Sequence, residues 1–306
     1  MKQNRLGKSD IYVSELTLGC MSLGTDQAKA QTIIDKALAA GVNHLDTADL
    51  YNFGLNEEIV GEAIKGKRQE IILTSKVGNH FNRDTKDWYW DPSKEHIKAG
   101  LKDSLKRLNT DYIDFYMLHG GTIDDPIDES IEAFEQLKQE GLIRAYGISS
   151  IRPNVIREYV KRSHIDAVMM QYSMLDRRPE EEVLDLLAEN HISVLARGPL
   201  AKGILSKNGR KQIERKSRDG YLDYTYEELV KIYDEIKNVI GEDTSFNTAA
   251  LQYVLHHPAV ASAVFGASSE EQLAENTAMD SSAVLTEEKY RALQAITKPV
   301  QYTNHR

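Results

Sequence analysis

Residues 33–51 read IIDKALAAGVNHLDTADLY. Ile33, Ile34, Ala37 and Leu38 recur at helical spacing, and Gly41 can take the left-handed conformation that ends a helix. The short run that follows stops on the carboxylate of Asp46, and the phenol of Tyr51 comes five residues later. Helix, stop and short strand make one α/β unit. The alternation repeats from end to end, with strands expected at residues 16–18, 42–46, 71–76, 113–118, 143–148, 167–170, 194–196 and 260–265. A helical pattern follows each of them; Pro92 and Ser93, for example, precede Ile97, Leu101, Leu105 and Leu108.

Short, continuous apolar strands are expected where a parallel sheet is covered on both faces. Eight right-handed crossovers close most simply into a (β/α)8 TIM barrel. The expected architecture is a single α/β domain over residues 1–306, with an N-terminal hairpin and extra loops or helices at the C-terminal face. A doubly wound sheet is the alternative. Three segments exceed what a barrel needs: residues 78–91, residues 206–226 and the tail after Ile296. Loops of that length shape binding sites.

Composition excludes several classes. Apolar residues make up 41% of the 306 and charged residues 28%, as in a chain able to bury a large core. With 38 basic against 47 acidic side chains the formal charge is -9, and no basic block resembles a nucleic-acid footprint. The single cysteine, Cys20, cannot form an internal disulfide, and MKQNRLGKSD lacks the apolar core of a signal peptide, so a cytoplasmic protein is expected. No apolar run reaches the ~18 residues of a membrane span. A monomer or weak homo-oligomer is the expected state.

In such a barrel, chemistry belongs at the C-terminal ends of the strands. Asp46, Lys76 in TSKVG, His119 in YMLHGG and Gln171 in MMQYS stand there, with Tyr51 in the loop after Asp46. A phenol titrates near ~10 and needs a neighbouring cation to give up its proton near neutrality. Lys76 can supply that cation, Asp46 can hold the lysine charged and oriented, and His119 can polarise a carbonyl oxygen beside Tyr51. Singly, Asp46 could cap a loop, Lys76 could be a solvated strand end and His119 a structural histidine. Their common rim argues for proton transfer.

Two patterns carry less. GEAIKGKR, residues 61–68, fits part of a phosphate loop but lacks its Ser/Thr and precedes a strand, so it is a helix end. His44 and Asp46 alternate on one strand and could begin a metal site, yet no second ligand pair stands on another strand; no metal is expected.

The stretches LDTADLY…NEEIVGEAI, TSKVG, DYIDFYMLHG, GLIRAYGISS, MMQYS, ARGPLAKGIL and GASSEEQLAEN resemble the aldo-keto reductase superfamily over nearly the whole chain, in particular its bacterial oxidoreductases. The resemblance implies a barrel that binds NADP(H) without a Rossmann domain, NADH being the less expected cofactor, and a tetrad of Asp46, Tyr51, Lys76 and His119. It implies that Ser149, Ser150 and Gln171 hold the nicotinamide carboxamide, Ser150 standing where many members carry Asn. Arg197 occupies the place of an aromatic that stacks on the nicotinamide; its charge would disfavour the oxidised ring. Gly198, Pro199, Leu200, Lys202 and Gly203 would wrap the pyrophosphate. Gly266, Ala267, Ser268, Ser269, Gln272 and Asn276 would meet the 2′-phosphate and adenine, without the Arg or Lys that members often carry near Ser268. Cys20 and Met21, in LGCMSLG, fall beside the cofactor.

Trp88 and Trp90, in the loop after strand 3, are candidates for the substrate pocket. The function implied is NADPH-dependent reduction of aldehydes or ketones. Two rivals from other classes are a nicotinamide-binding regulatory subunit of a larger complex and a metal-dependent hydrolase.

Overall fold

In the computed structural model, which describes residues 1–279 and 285–306, eight strands close a parallel barrel. In chain order they are β3 (Leu16–Gly19), β4 (His44–Asp46), β5 (Ile72–Val77), β8 (Ile113–Leu118), β9 (Ile143–Ser149), β10 (Ala167–Gln171), β11 (Ser193–Arg197) and β12 (Val260–Gly266). Each pairs with the next, and β12 returns to β3. The doubly wound alternative is thereby excluded. Gly41 takes φ +91° directly after the first helix, α1 (Gln27–Ala39), so the αL stop read in the sequence is the turn into β4.

The N-terminal hairpin, β1 (Gln3–Arg5) with β2 (Tyr12–Ser14), plugs the bottom of the barrel. Its Leu6, Ile11 and Val13 join Phe115, Met117, Ala145, Met169 and Leu195 in one apolar cluster, all essentially buried. Asn4 Nδ2 donates to the Ala261 carbonyl at 2.8 Å and the Gly7 amide to Ser193 Oγ at 2.8 Å, fixing the hairpin at the strand starts. The open end is therefore the C-terminal one, as a barrel enzyme requires.

Residues 78–91 form a second hairpin, β6 (Asn79–Phe81) with β7 (Trp88–Trp90), rather than an irregular loop. The 206–226 segment contributes a further helix, α7 (Gly209–Lys216), before α8 (Tyr226–Ile240) and α9 (Phe246–Leu255) lead into β12. The tail folds back: Tyr302 is buried, Arg178 lies 5.1 Å from its ring, and the Asn154 amide donates to the His305 carbonyl at 2.9 Å. No described helix is long and apolar enough to cross a membrane.

Candidate active site

Lys76 is wholly buried near the top of β5. Its ammonium has three N–H groups and three partners: the Asp46 carboxylate, with both oxygens at 2.8–2.9 Å, the Thr47 carbonyl at 2.7 Å and the Tyr51 phenol oxygen at 3.2 Å. All donor capacity is thus spent inside the site. Burial alone would pull this ammonium toward deprotonation, but Asp46 and then Tyr51 outweigh it and hold the group above the usual lysine range. Burial pushes the Asp46 carboxyl up, while Lys76 and Arg197 pull it back.

His119 follows β8, its amide donating to the Val77 carbonyl at 2.7 Å. Its ring meets that of Tyr51 edge to face, centroids 5.8 Å apart. Burial first, then the charges of Lys76 and Arg197, lower its pKa to about 3. The imidazole is neutral at ordinary pH, a form that can donate or accept a hydrogen bond.

Tyr51 owes its position to costly backbone. Asn52, Phe53 and Gly54 all have positive φ, at 49°, 53° and 85°, before the helix α2 (Leu55–Ala63) begins. Two consecutive non-glycine residues in that region mark a segment held by its surroundings. Asn56 helps to hold it: Thr47 Oγ1 donates to its Oδ1 at 2.7 Å, and its Nδ2 donates to the Cys20 carbonyl at 2.9 Å. A side chain on Gly54 would run into Arg83 and Arg107. Behind β5, the buried Glu57 accepts from Ser75 Oγ at 2.5 Å and Arg107 Nε at 2.6 Å. Burial and then Glu57 push the neighbouring Asp49 carboxyl well up, toward its neutral form. That Asp46, Lys76, Tyr51 and His119 would meet was readable from their places at strand ends; the surrounding shell, spread over separate segments with no shared spacing, was not.

His44 is a structural histidine. It bridges Thr17 Oγ1 and Thr74 Oγ1 at 2.7 Å each inside the barrel, and burial, then Lys76, lower its pKa to about 3. Because its folded pKa lies below the unfolded value of ~6.5, it contributes stability that is complete above pH ~6.5 and lost as pH falls toward 3. Asp49, shifted the other way, opposes the trend, so the clean observable is a difference. Between pH 6 and 4 the unfolding free energy of the wild type should fall faster than that of His44→Gln by about one proton's worth, ~1.4 kcal/mol per pH unit. Urea unfolding across that range measures it; parallel curves would mean that His44 is not buried neutral.

The remaining predicted positions ring the same mouth. Ser149, Gln171, Arg197 and Gly266 are the last residues of β9, β10, β11 and β12. Gln171 Nε2 donates to Asp176 Oδ2 at 2.8 Å, and its Oε1 accepts from Arg197 Nη1 at 3.3 Å, so its amide is oriented from both sides. Arg197 is exposed, and its charge is felt at both Asp46 and His119. Gly198, Ala201, Lys202 and Gly203 all have positive φ, a sharply folded loop with Pro199 buried and Leu200 half-buried. Ser150, Ala267 and Asn276 are buried, and Asn276 bridges Asn247 and the Gly266 carbonyl, tying the last strand to α10 (Glu270–Thr277). Ser268 donates its amide and hydroxyl to Gln272 Oε1, and Ser269 caps α10. Met21 is exposed, whereas the Cys20 thiol is buried and its ionisation suppressed. Trp88 is exposed; Trp90 packs over Gly78 and over Gly120, the residue after His119, and its indole N–H donates to Asp125 Oδ1 at 3.0 Å.

Residues 15–298 match the family described as "Aldo/keto reductase family". The chain belongs to that family. This aldo/keto reductase is 55% identical to the uncharacterized oxidoreductase YqkF of Bacillus subtilis over the full length of both chains. It is 33% identical to the NADH-specific methylglyoxal reductase of Escherichia coli, covering 96% of this chain and all of that one. Among solved structures, the holo form of aldo-keto reductase AKR11C1 from Bacillus halodurans superposes with a TM-score of 0.94 at 54% identity, covering 100% and 99% of the two chains; its apo form gives 0.86. The family is one of oxidoreductases that use a nicotinamide cofactor and act on small carbonyl compounds.

Proposed function

We propose that the whole chain, residues 1–306, is one catalytic domain that reduces aldehydes or ketones to alcohols with NADPH. The observation that carries the reading is the saturated Lys76 ammonium, held between the Asp46 carboxylate and the Tyr51 phenol oxygen. A nicotinamide bound at the strand ends would supply the hydride. Tyr51 donates the proton to the carbonyl oxygen, and Lys76 stabilises the negative charge left on the phenol oxygen. Neutral His119 orients the same carbonyl by hydrogen bonding. Ser149, Ser150 and Gln171 would hold the carboxamide, with Cys20 and Met21 at the edge of the same site. The 198–203 turn would cradle the pyrophosphate, and the segment from Gly266 to Asn276 the adenosine end. Exposed backbone at Gly198 and Gly266 and the sharply turned loop suit close approach of a phosphate chain. The stronger likeness to the holo than to the apo form of AKR11C1 supports loops arranged for a cofactor.

A second reading of the cofactor rests on α10, whose first turn carries Glu270 and Glu271. The nearby Lys36 and Lys207 are paired with Glu270 and with Glu271 and Glu275, so neither is an uncommitted cation for a 2′-phosphate. That arrangement favours NADH, the cofactor in the name of the Escherichia coli relative. A screen of aldehydes and ketones with each cofactor, following nicotinamide absorbance, decides both questions. Turnover at least tenfold faster with NADPH supports the first reading and faster turnover with NADH the second. Absence of turnover with either, despite cofactor binding, would favour the regulatory-subunit alternative.

Arg197 supplies a further test. Beside the nicotinamide its positive charge would favour the neutral reduced ring over the cationic oxidised one, an exposed pair at ~4 Å being worth ~1 kcal/mol. Arg197→Ala should shrink the preference for reduced over oxidised cofactor about fivefold. Titration of both redox forms into the two proteins measures that ratio; an unchanged ratio would remove Arg197 from the ring.

A further inference from the structure

The second hairpin carries a cluster that the reductase chemistry does not use. His80 lies on β6, Asp91 directly follows β7, and His96 sits in the first turn of α3 (Lys94–Leu108). One ligand atom from each lies within 4.8 Å of the others. Asp91 Oδ2 is 3.6 Å from His80 Nδ1 and 3.9 Å from His96 Nδ1. Those separations are too long for hydrogen bonds and slightly wider than the ~3.4 Å between neighbouring ligands of a tetrahedral ion with bonds of ~2.0–2.1 Å. Closing these gaps takes a shift of the Asp91 carboxylate toward His96 as well as a rotation of the exposed His80 ring.

The scaffold is already built. Asn79 and Trp90 are ladder partners, as are His80 and Tyr89, so the hairpin fixes two of the three ligands against each other. Ser93 receives the His96 amide as the helix cap at 3.2 Å and donates its own amide to Asp91 Oδ1 at 3.2 Å, leaving Oδ2 turned toward the histidines. The His80 imidazole lies between the rings of Tyr89 and His96, with centroids 4.9 Å away on each side. Neutral imidazole and ionised carboxylate are the ligating forms.

We propose that His80, Asp91 and His96 bind a divalent transition-metal ion of the zinc class, which pins the β6–β7 hairpin to the start of α3. Two imidazoles and one carboxylate suit zinc, cobalt or nickel better than calcium or magnesium. The side chains of Asp91 and His96 are 23% and 14% exposed and that of His80 52%, so solvent can complete the coordination shell from the His80 side. The site is structural rather than catalytic. It grips the base of a hairpin whose Trp90 covers Gly78 and Gly120 beside His119.

The test uses tag-free, chelator-treated full-length protein titrated with cobalt(II). The chain has two tryptophans, Trp88 and Trp90, both on this hairpin, so tryptophan emission reports on it alone. One equivalent of cobalt should raise a visible d–d absorption, quench at least half of the tryptophan emission and be displaced by zinc(II). His80→Ala, which alters an exposed side chain, should weaken binding at least tenfold, as should Asp91→Asn. His164→Ala, which removes the separate pair with Glu135, should bind cobalt like the wild type. Failure of the wild type to bind, or equal affinity in His80→Ala and Asp91→Asn with normal thermal unfolding, would overturn the site.

Discussion

Tyr51→Phe keeps the affinity of the protein for its nicotinamide cofactor and slows carbonyl reduction by about 10²–10⁴-fold, the usual contribution of a positioned acid. The substitution keeps the ring, and with it the edge-to-face contact with His119, while removing the oxygen 3.2 Å from Lys76. His119 cannot replace the lost acid near neutral pH, because burial and two nearby cations keep it neutral down to about pH 3. Cofactor binding followed by fluorescence and aldehyde turnover by absorbance separate the two properties. Unchanged turnover would take the acid role away from Tyr51.

Lys76→Met is expected to lose both stability and activity, for different reasons. Methionine fills the same buried space but leaves Asp46, 3% exposed, as an ion without its partner, at a cost of ~3–5 kcal/mol. Turnover should fall by at least as much as in Tyr51→Phe, since nothing then balances charge on the phenol oxygen. The double variant Lys76→Met with Asp46→Asn removes the orphaned charge and should recover most of the stability and none of the activity. Urea unfolding of the three proteins beside their aldehyde turnover measures this. Recovery of activity in the double variant would mean that the lysine serves the fold alone.

The barrel was legible because its signals are local. Helical spacing at Ile33, Ile34, Ala37 and Leu38, the αL turn at Gly41 and the short strand ending on Asp46 define one unit, helix and short strand alternate in the same way along the chain, and eight units admit one economical closure. The meeting of these side chains was legible for a related reason: a strand has only one C-terminal end, so Asp46, Lys76 and His119 were bound to share a rim once the barrel closed. What escaped depends on contacts between distant segments. The β6–β7 hairpin reads as a loop because Trp88, Tyr89 and Trp90 carry no alternation of polar and apolar residues. The Glu57, Ser75 and Arg107 set behind Lys76 joins a helix, a strand and another helix. The left-handed run at Asn52 and Phe53 is paid for by packing around it, which no local propensity announces.

The central claim, transfer of a hydride to a carbonyl carbon at the Tyr51 site, has a direct isotopic test. Purified protein is incubated with a simple aldehyde and with NADPH or NADH carrying deuterium at both C4 positions of the nicotinamide, and the product is examined by mass spectrometry and NMR. The account predicts an alcohol with one deuterium on the carbinol carbon from the wild type, and about 10²–10⁴-fold less of it per unit time from Tyr51→Phe. Product without deuterium, or no cofactor oxidation across a panel of aldehydes and ketones, would contradict it.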